Sequence, residues 1–140
     1  MANMLKVSEA ASLAMHTMVL LAKDPERVVS THEIAETLKV SEAHLSKVLQ
    51  RLTRAGLVES VRGPRGGFRC GESANGITLL DVYESIEGRL AAKTCLLGEP
   101  ICDGGACILG DLLATVHKDI ADYLAGTKLS TLANNITVRP

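Results

Sequence analysis

Three of the four cysteines lie close together, at Cys95, Cys102 and Cys107, in a glycine-rich stretch that precedes a helical pattern. Thiolate sulfur is a soft ligand, and three thiolates at short spacing suit iron or an iron–sulfur core. Zinc is an alternative, but its sites usually contain a Cys-x-x-Cys pair, which this stretch lacks. A thiol–disulfide switch without metal is the third possibility. We therefore predict a metal- or redox-sensitive segment, with an iron–sulfur cluster as the favoured cofactor.

The composition indicates a chain built from helices. The 140 residues are 46% hydrophobic but only 2% aromatic, so aliphatic side chains and Met must form the core. Such a core favours helices over a β-sandwich. The length fits one compact domain, or one domain with an oligomerisation arm.

Residues 10–22 form an apolar segment near the N-terminus that could be mistaken for a targeting signal. His16 interrupts the segment, which lacks a strongly basic start and a small-residue cleavage site and is too short to span a bilayer. We therefore predict a buried helix, no membrane contact and a cytoplasmic location. In that compartment cysteines more often bind metal or react with oxidants than form structural disulfides.

The charge is unevenly distributed along the chain, although the net charge is only −1. Residues 40–69 hold six basic and two acidic side chains, whereas residues 71–140 hold five basic and nine acidic ones. A basic stretch in an otherwise acidic chain predicts a local site for phosphates. The six basic residues are Lys47, Arg51, Arg54, Arg62, Arg65 and Arg69.

Two helical patterns separated by a tight turn run into this basic stretch. Ser30 and Glu33 form a capping-box pattern that starts the first helix, and Ser41 caps a second helix that ends at Gly56. The second helix has apolar residues on one face and small polar and basic residues on the other, as in helix-turn-helix proteins. Its apolar face consists of Leu45, Val48, Leu49 and Leu52.

A β-hairpin is predicted directly after the second helix. Residues 57–61 and 68–70 have strand character, and Arg-Gly-Pro-Arg-Gly-Gly lies between them as the tip. The glycines let this tip approach a DNA backbone, with Arg62 and Arg65 directed at the minor groove or flanking phosphates. We interpret Cys70 as a small hydrophobe that packs the return strand, with oxidation there as a minor alternative switch.

The predicted fold is mainly α with a small β-wing. Residues 1–75 form a winged helix-turn-helix DNA-binding domain. Residues 76–140 hold a helix at 77–87, the cysteine segment at roughly 93–106 and a long C-terminal dimerisation helix at 107–124, all in one compact unit. The apolar stripe of the long helix exceeds the need of one small domain, which indicates a second subunit. The stripe consists of Ile108, Leu112, Val116, Ile120 and Leu124, with Leu109, Leu113 and Tyr123 beside it.

The chain resembles the Rrf family of bacterial winged-helix transcription regulators, the group that includes IscR, NsrR, RirA and CymR, over almost all of residues 4–138. The resemblance implies a homodimer whose long helices cross and which binds a palindromic operator in double-stranded DNA. The matching motifs are Met-Leu-Lys-Val-Ser at 4–8, Arg-Ala-Gly-Leu-Val at 54–58, Val-Arg-Gly-Pro-Arg-Gly-Gly-Phe at 61–68 and Thr-Leu-Ala-Asn-Asn at 131–135.

The same resemblance implies a cluster site, because many members hold an iron–sulfur cluster on three cysteines separated by five and five residues. Here the gaps are six and four residues, so the choice between a two-iron and a four-iron cluster stays open. The histidine ligand of IscR-like members is replaced by Gly110. NsrR-like members take a carboxylate from the first helix of the other subunit, where this chain has Ser12. Glu9 and His16 flank that position, so Glu9, Ser12 and His16 are the candidates for the fourth ligand. His16 could reach across the dimer, and packing in the subunit interface is its alternative role.

The predicted function is a DNA-binding transcription regulator that senses iron–sulfur, redox or nitric oxide status. One alternative is a cluster-less winged-helix repressor switched by thiol oxidation, a small ligand or a partner enzyme. The other is an iron–sulfur carrier or electron-transfer protein. An enzyme is not expected, since no catalytic constellation is present. Predicted contacts near base edges are Ser41, His44, Ser46 and Lys47; predicted phosphate contacts are Gln50, Arg51 and Arg54 on the helix and Arg62 and Arg65 on the wing.

Overall fold

The computed structural model describes residues 7–70, 75–91, 101 and 107–135. Within these residues the chain forms six helices and one two-stranded antiparallel sheet, which confirms the mainly α fold with a small wing. None of the helices in the described part is long and apolar enough to cross a membrane. In chain order the elements are α1 (Glu9–Ala22), α2 (Thr31–Leu38), α3 (Glu42–Arg54), β1 (Glu59–Val61), β2 (Gly67–Arg69), α4 (Leu79–Glu87), α5 (Leu112–Gly126) and α6 (Leu129–Asn135).

Helix α1 forms the centre of the core. Ser8 caps its N-terminus, with Ser8 Oγ accepting a hydrogen bond from the N–H of Ala11 at 3.1 Å. Its buried side chains recur at helical spacing, and the helix packs against α3, α4 and α6. This packing confirms the predicted buried helix. The most deeply buried residues, at most 1% exposed, are Ala11, Ala14, Thr17, Met18 and Leu21.

Thr17 is the polar exception in the buried part of α1. Its Oγ1 has no hydrogen-bond partner among the described residues. An unsatisfied buried hydroxyl costs about 1–3 kcal/mol. Because Thr17→Val removes the hydroxyl and keeps the shape, we expect the free energy of unfolding to rise by about 1 kcal/mol in urea titrations. Thr17→Ser keeps the hydroxyl and should lower the free energy of unfolding instead. A valine variant less stable than the wild type would contradict this expectation.

Helices α2 and α3 form the predicted helix-turn-helix. Ser30 and Ser41 cap them through their hydroxyl oxygens, as predicted. The carboxylate of Glu33, predicted to complete a capping box with Ser30, instead accepts from the Arg27 guanidinium at 2.7 Å. Lys39 ends α2 in the left-handed conformation, with φ of 58°, and so turns the chain sharply toward α3.

The apolar face of α3 packs into the core as the sequence predicts. Leu45, Val48, Leu49 and Leu52 are each at most 2% exposed. Burial of this face determines which side chains of α3 face outward, so the helix presents its polar and basic side to solvent.

The wing consists of β1 and β2 and is attached to the segment before α2 by one residue pair. Val29 and Phe68 exchange two backbone N–H···O hydrogen bonds, both of 2.9 Å, in an isolated bridge. The wing is therefore fixed to the helix-turn-helix by backbone pairing as well as by the chain itself. Within the wing the register pairs Glu59 with Arg69, Ser60 with Phe68 and Val61 with Gly67.

The chain after the wing returns to the same core. Helix α4 begins with a capping box between Thr78 and Asp81. The residues before α4 and α6 are joined by two backbone hydrogen bonds of 3.0 Å, from Leu79 to Thr127 and from Leu129 to Ile77. Both helices pack against α1. The segments on either side of the predicted boundary between residues 75 and 76 therefore pack in one core. The division of the chain into two domains at that point stays a prediction.

The long C-terminal helix begins later than the sequence predicts, at Leu112 rather than residue 107. Gly110 adopts φ of 60°, and its N–H bonds to the Cys107 carbonyl at 3.0 Å, so residues 107–110 form a turn. Ile108 consequently lies outside the helix and is 94% exposed. The rest of the predicted stripe lies on α5, where Leu113 is buried.

Candidate functional site

Helix α3 presents a polar and basic face to solvent. Lys47, Gln50 and Arg54 are exposed, while Ser46 is half-buried beside them. The second helix of a helix-turn-helix lies in the major groove of DNA, where side chains of its first turns reach base edges. Longer basic side chains reach phosphates, which position the protein on the duplex. The face is suited to both kinds of contact, and α3 is called the recognition helix below.

Two of the predicted base-edge residues also have structural contacts. Ser41 Oγ accepts a hydrogen bond from the N–H of His44 at 3.2 Å, as the N-cap of the recognition helix. A hydroxyl that accepts a hydrogen bond can still donate its own proton, so Ser41 keeps a donor for DNA. His44 is half-buried and lines a groove against α1.

Arg51 differs from the other predicted phosphate contacts. It is exposed, but its Nη2 donates a hydrogen bond of 2.5 Å to the carbonyl of Ile86, next to the last residue of α4. Sequence reasoning missed this contact because the acceptor is a backbone atom 35 residues away, which any residue type would supply. A phosphate contact from Arg51 stays a prediction.

The wing carries two exposed arginines, Arg62 and Arg65, and one that is paired on its strand. The Nε of Arg69 donates to Glu59 at 2.8 Å, and its guanidinium lies 3.8 Å from the carboxylate of Glu26. These carboxylates offset the charge of Arg69. The remaining exposed basic side chains on the recognition helix and wing, called the basic face below, are Lys47, Arg54, Arg62 and Arg65.

The paired glycines of the wing make close contacts within the chain. A Cβ on Gly67 would lie 2.2 Å from the carbonyl oxygen of Val29, and one on Gly66 would lie 2.3 Å from that of Val61. The sequence relates these glycines to a close approach to DNA. In the structure they are required by contacts that the wing makes with its own chain.

Gly67→Ala is therefore expected to destabilise the fold by about 1–3 kcal/mol, because the backbone of Val29 has to move. Gly126→Ala is the matched control, since a Cβ there meets open space at the end of α5. Urea unfolding of both variants measures the difference. Equal stability of the two variants would show that the wing is not packed as described.

Of the three predicted cluster ligands, Cys95 and Cys102 lie outside the described residues. Cys107 is half-buried in the turn before α5, and its Sγ accepts a hydrogen bond from the N–H of Leu109 at 3.5 Å. Hydrogen bonds of this kind tune the sulfur ligands of iron–sulfur clusters. Among residues 7–70, 75–91, 101 and 107–135, no group of three or more His, Cys, Asp or Glu side chains is arranged to hold a metal ion.

Cys70 lies in a different environment, at the end of the wing. It is 1% exposed and belongs to the hydrophobic core, in agreement with the predicted role as a packed small hydrophobe. Burial raises the pKa of the Cys70 thiol, and the nearby carboxylates of Glu26 and Glu59 raise it further. Cys70 is therefore a poor nucleophile in the folded chain.

The three candidate ligands from α1 lie together. Glu9, Ser12 and His16 line one groove of about 450 Å³, which also reaches His44 of the recognition helix. His16 Nδ1 lies 2.7 Å from the carbonyl oxygen of Ser12. Because a carbonyl only accepts hydrogen bonds, Nδ1 is the donor in this contact, which leaves Nε2 as the ring nitrogen available to a metal.

A helix-turn-helix followed by a two-stranded wing, with exposed basic side chains on both, defines a winged-helix DNA-binding protein. The family described as "Rrf2: Iron-dependent Transcriptional regulator" matches residues 7–135. The chain belongs to the Rrf2 family of transcriptional regulators, and the resemblance found in the sequence is confirmed.

Individual relatives support this assignment. An Aquifex aeolicus protein described as an HTH-type transcriptional regulator is 32% identical over 130 residues, which is 91% of this chain and 90% of that protein. The solved structure of CymR, the global cysteine regulator of B. subtilis, matches with a TM-score of 0.81 at 28% identity, over 95% of this chain and 99% of that one. The structure of IscR from T. potens matches with a TM-score of 0.72 at 27% identity, over 94% and 89%.

Proposed function

We propose that this protein is a homodimeric transcription regulator whose affinity for a palindromic operator depends on an iron–sulfur cluster held by Cys95, Cys102 and Cys107. The observation that carries the proposal is the N–H of Leu109 directed at Cys107 Sγ, in a turn that connects the cysteine segment to α5. The description of the matching family as iron-dependent supports it. When bound, such a cluster supplies sensitivity to redox state, nitric oxide and iron supply.

The residues that line the α1 groove are proposed to supply the fourth ligand, from one subunit to the cysteines of the other. His16 is the strongest candidate, since the hydrogen bond from Nδ1 to the Ser12 carbonyl orients the ring and leaves Nε2 as the nitrogen available to a metal. Glu9 offers a carboxylate on the same groove, and Ser12 a hydroxyl.

The recognition helix is proposed to enter the major groove, with the wing over neighbouring phosphates. Base edges are read by Ser41, His44, Ser46 and Lys47, and phosphates are held by Gln50, Arg54 and the wing arginines. The dimer is supported by apolar side chains left exposed in and beside α5, where Leu112 is 49% and Tyr123 62% exposed. A second copy of α5 would cover them.

One alternative is favoured by a specific observation. The likeness to CymR, described as a global cysteine regulator, favours a repressor without a cluster. In that case the three cysteines act through disulfide chemistry or have no sensing role, while the DNA-binding surface remains the same.

The deciding experiment begins with protein purified without oxygen. Brown protein with stoichiometric iron and acid-labile sulfide is expected. Binding to a duplex selected from random DNA is then measured before and after removal of the iron, and we expect the two affinities to differ. Colourless protein that contains no iron but binds the duplex would support the alternative, a repressor without a cluster. Equal affinities in all redox states would remove the sensing role altogether.

A further inference from the structure

The C-terminal end of α4, residues 84–90, collects contacts from two other helices and is called the α4 end below. The Arg51 guanidinium of the recognition helix donates to the Ile86 carbonyl at 2.5 Å. Ser8, the N-cap of α1, donates from its hydroxyl to the Glu87 carboxylate. The recognition helix and the start of α1 are thus both attached to the same few residues.

The α4 end is also held by bonds of its own. Gly88, with φ of 83°, donates its N–H to the Glu84 carbonyl at 3.0 Å. The Glu84 carboxylate accepts the N–H of Leu90 at 2.8 Å. These bonds hold residues 88–90 against the last turn of α4, and the cysteine segment follows them in the sequence.

The contact from Arg51 is of a kind that costs energy to lose. The last carbonyls of a helix have no partner within the helix and carry partial negative charge. A guanidinium group satisfies such a carbonyl with a charge-assisted hydrogen bond, which is stronger than a neutral one. Ile86 itself is only 6% exposed, so its carbonyl lies at the edge of the core. The recognition helix is therefore attached to α4 at a defined point.

We infer that Arg51 is a positioning residue, which transmits the state of the cysteine segment to the recognition helix through the α4 end. This inference rests on the proposed function, because it requires the operator affinity to respond to that segment. It differs from the sequence-based prediction, in which Arg51 holds a phosphate. The two roles predict different dependences on salt and on cluster state.

The test compares Arg51→Gln with Arg54→Gln, an exposed arginine three residues further along the same helix. For each protein, operator affinity is measured with and without the cluster, and over a range of salt concentrations. A residue that holds a phosphate contributes about 0.9 to the slope of log affinity against log salt. We expect R54Q to reduce the slope of log affinity against log salt and to keep the wild-type ratio of the affinities with and without the cluster. We expect R51Q to keep the wild-type slope and to bring this affinity ratio close to one.

Hydrogen exchange separates a lost contact from a lost fold. In R51Q the amides of residues 84–90 should exchange faster, while those of the buried part of α1 keep their protection. The inference is overturned if R51Q keeps the affinity ratio of the wild type, or if its salt dependence weakens as in R54Q; the proposed function then stands. If the wild-type protein itself binds the operator equally well with and without the cluster, the proposed function and this inference both fail.

Discussion

Replacing Lys47, Arg54 and Arg65 together by alanine is expected to lower operator affinity by about a thousandfold or more at moderate salt and to flatten its salt dependence. Each phosphate contact releases counterions and contributes about 0.9 to the slope of log affinity against log salt. Arg54 and Arg65 are the proposed phosphate contacts among the three, and in the proposed dimer each counts twice, so the slope should fall by about 3.6. The three side chains are exposed on the basic face, and their replacement leaves the core unchanged.

Affinity is measured by fluorescence anisotropy with one labelled duplex at several salt concentrations. Lys118→Ala is the control, because Lys118 lies on α5 and pairs with Asp122 at 2.9 Å. This variant should keep both the affinity and the slope. If the triple variant behaves like the Lys118 control, the recognition helix and wing do not form the DNA-binding surface.

Cys107→Ala is expected to abolish the visible absorption and the iron content of protein purified without oxygen, whereas Cys70→Ala should retain both. Cys107 is half-buried in the turn before α5, with an N–H donor on its sulfur. Cys70 is buried in the core. Each variant is measured for absorption, iron and acid-labile sulfide, with folding checked by circular dichroism. A folded Cys107→Ala protein with wild-type iron content would exclude Cys107 as a ligand.

Thiol titration of the reduced, cluster-free protein gives a second measurement for the same pair of cysteines. Burial raises the pKa of Cys70, so at pH 8 less of it is thiolate, and the thiolate is the reactive form. We expect Cys70→Ala to leave the number of thiols that react in the native protein unchanged. After unfolding in guanidinium chloride the number should fall by one. Rapid reaction of Cys70 in the native wild type would contradict its placement in the core.

Periodicity and end signals were sufficient to predict the DNA-binding half of the fold. The buried face of the recognition helix follows from the spacing of Leu45, Val48, Leu49 and Leu52, because a helix that packs on one side must bury residues at that spacing. Ser30 and Ser41 cap their helices as their residue type predicts. Such local rules depend on neighbours in sequence, which are known in advance.

The features that the sequence does not predict have equally specific causes. The apolar stripe extends the predicted long helix back to Ile108, but the positive φ of Gly110 places that residue in a turn. The Arg51 contact depends on a carbonyl that only the tertiary fold brings near. The close contact of Gly67 with the backbone of Val29 joins residues 38 positions apart in the chain. Each of these depends on long-range geometry or on a backbone torsion, neither of which hydrophobic periodicity encodes.

The bridge between Val29 and Phe68 has a consequence for how operators are distinguished. It joins the wing to the segment that starts α2, so within one subunit the recognition helix and the wing keep a constant separation. Each subunit of the proposed dimer therefore contacts a half-site with a recognition helix and a wing at constant spacing. In that dimer the variable quantity is the distance between the two DNA-binding surfaces, which would depend on the helices after the wing. Operators should accordingly tolerate changes of sequence in a half-site more readily than a change of one base pair in the spacer.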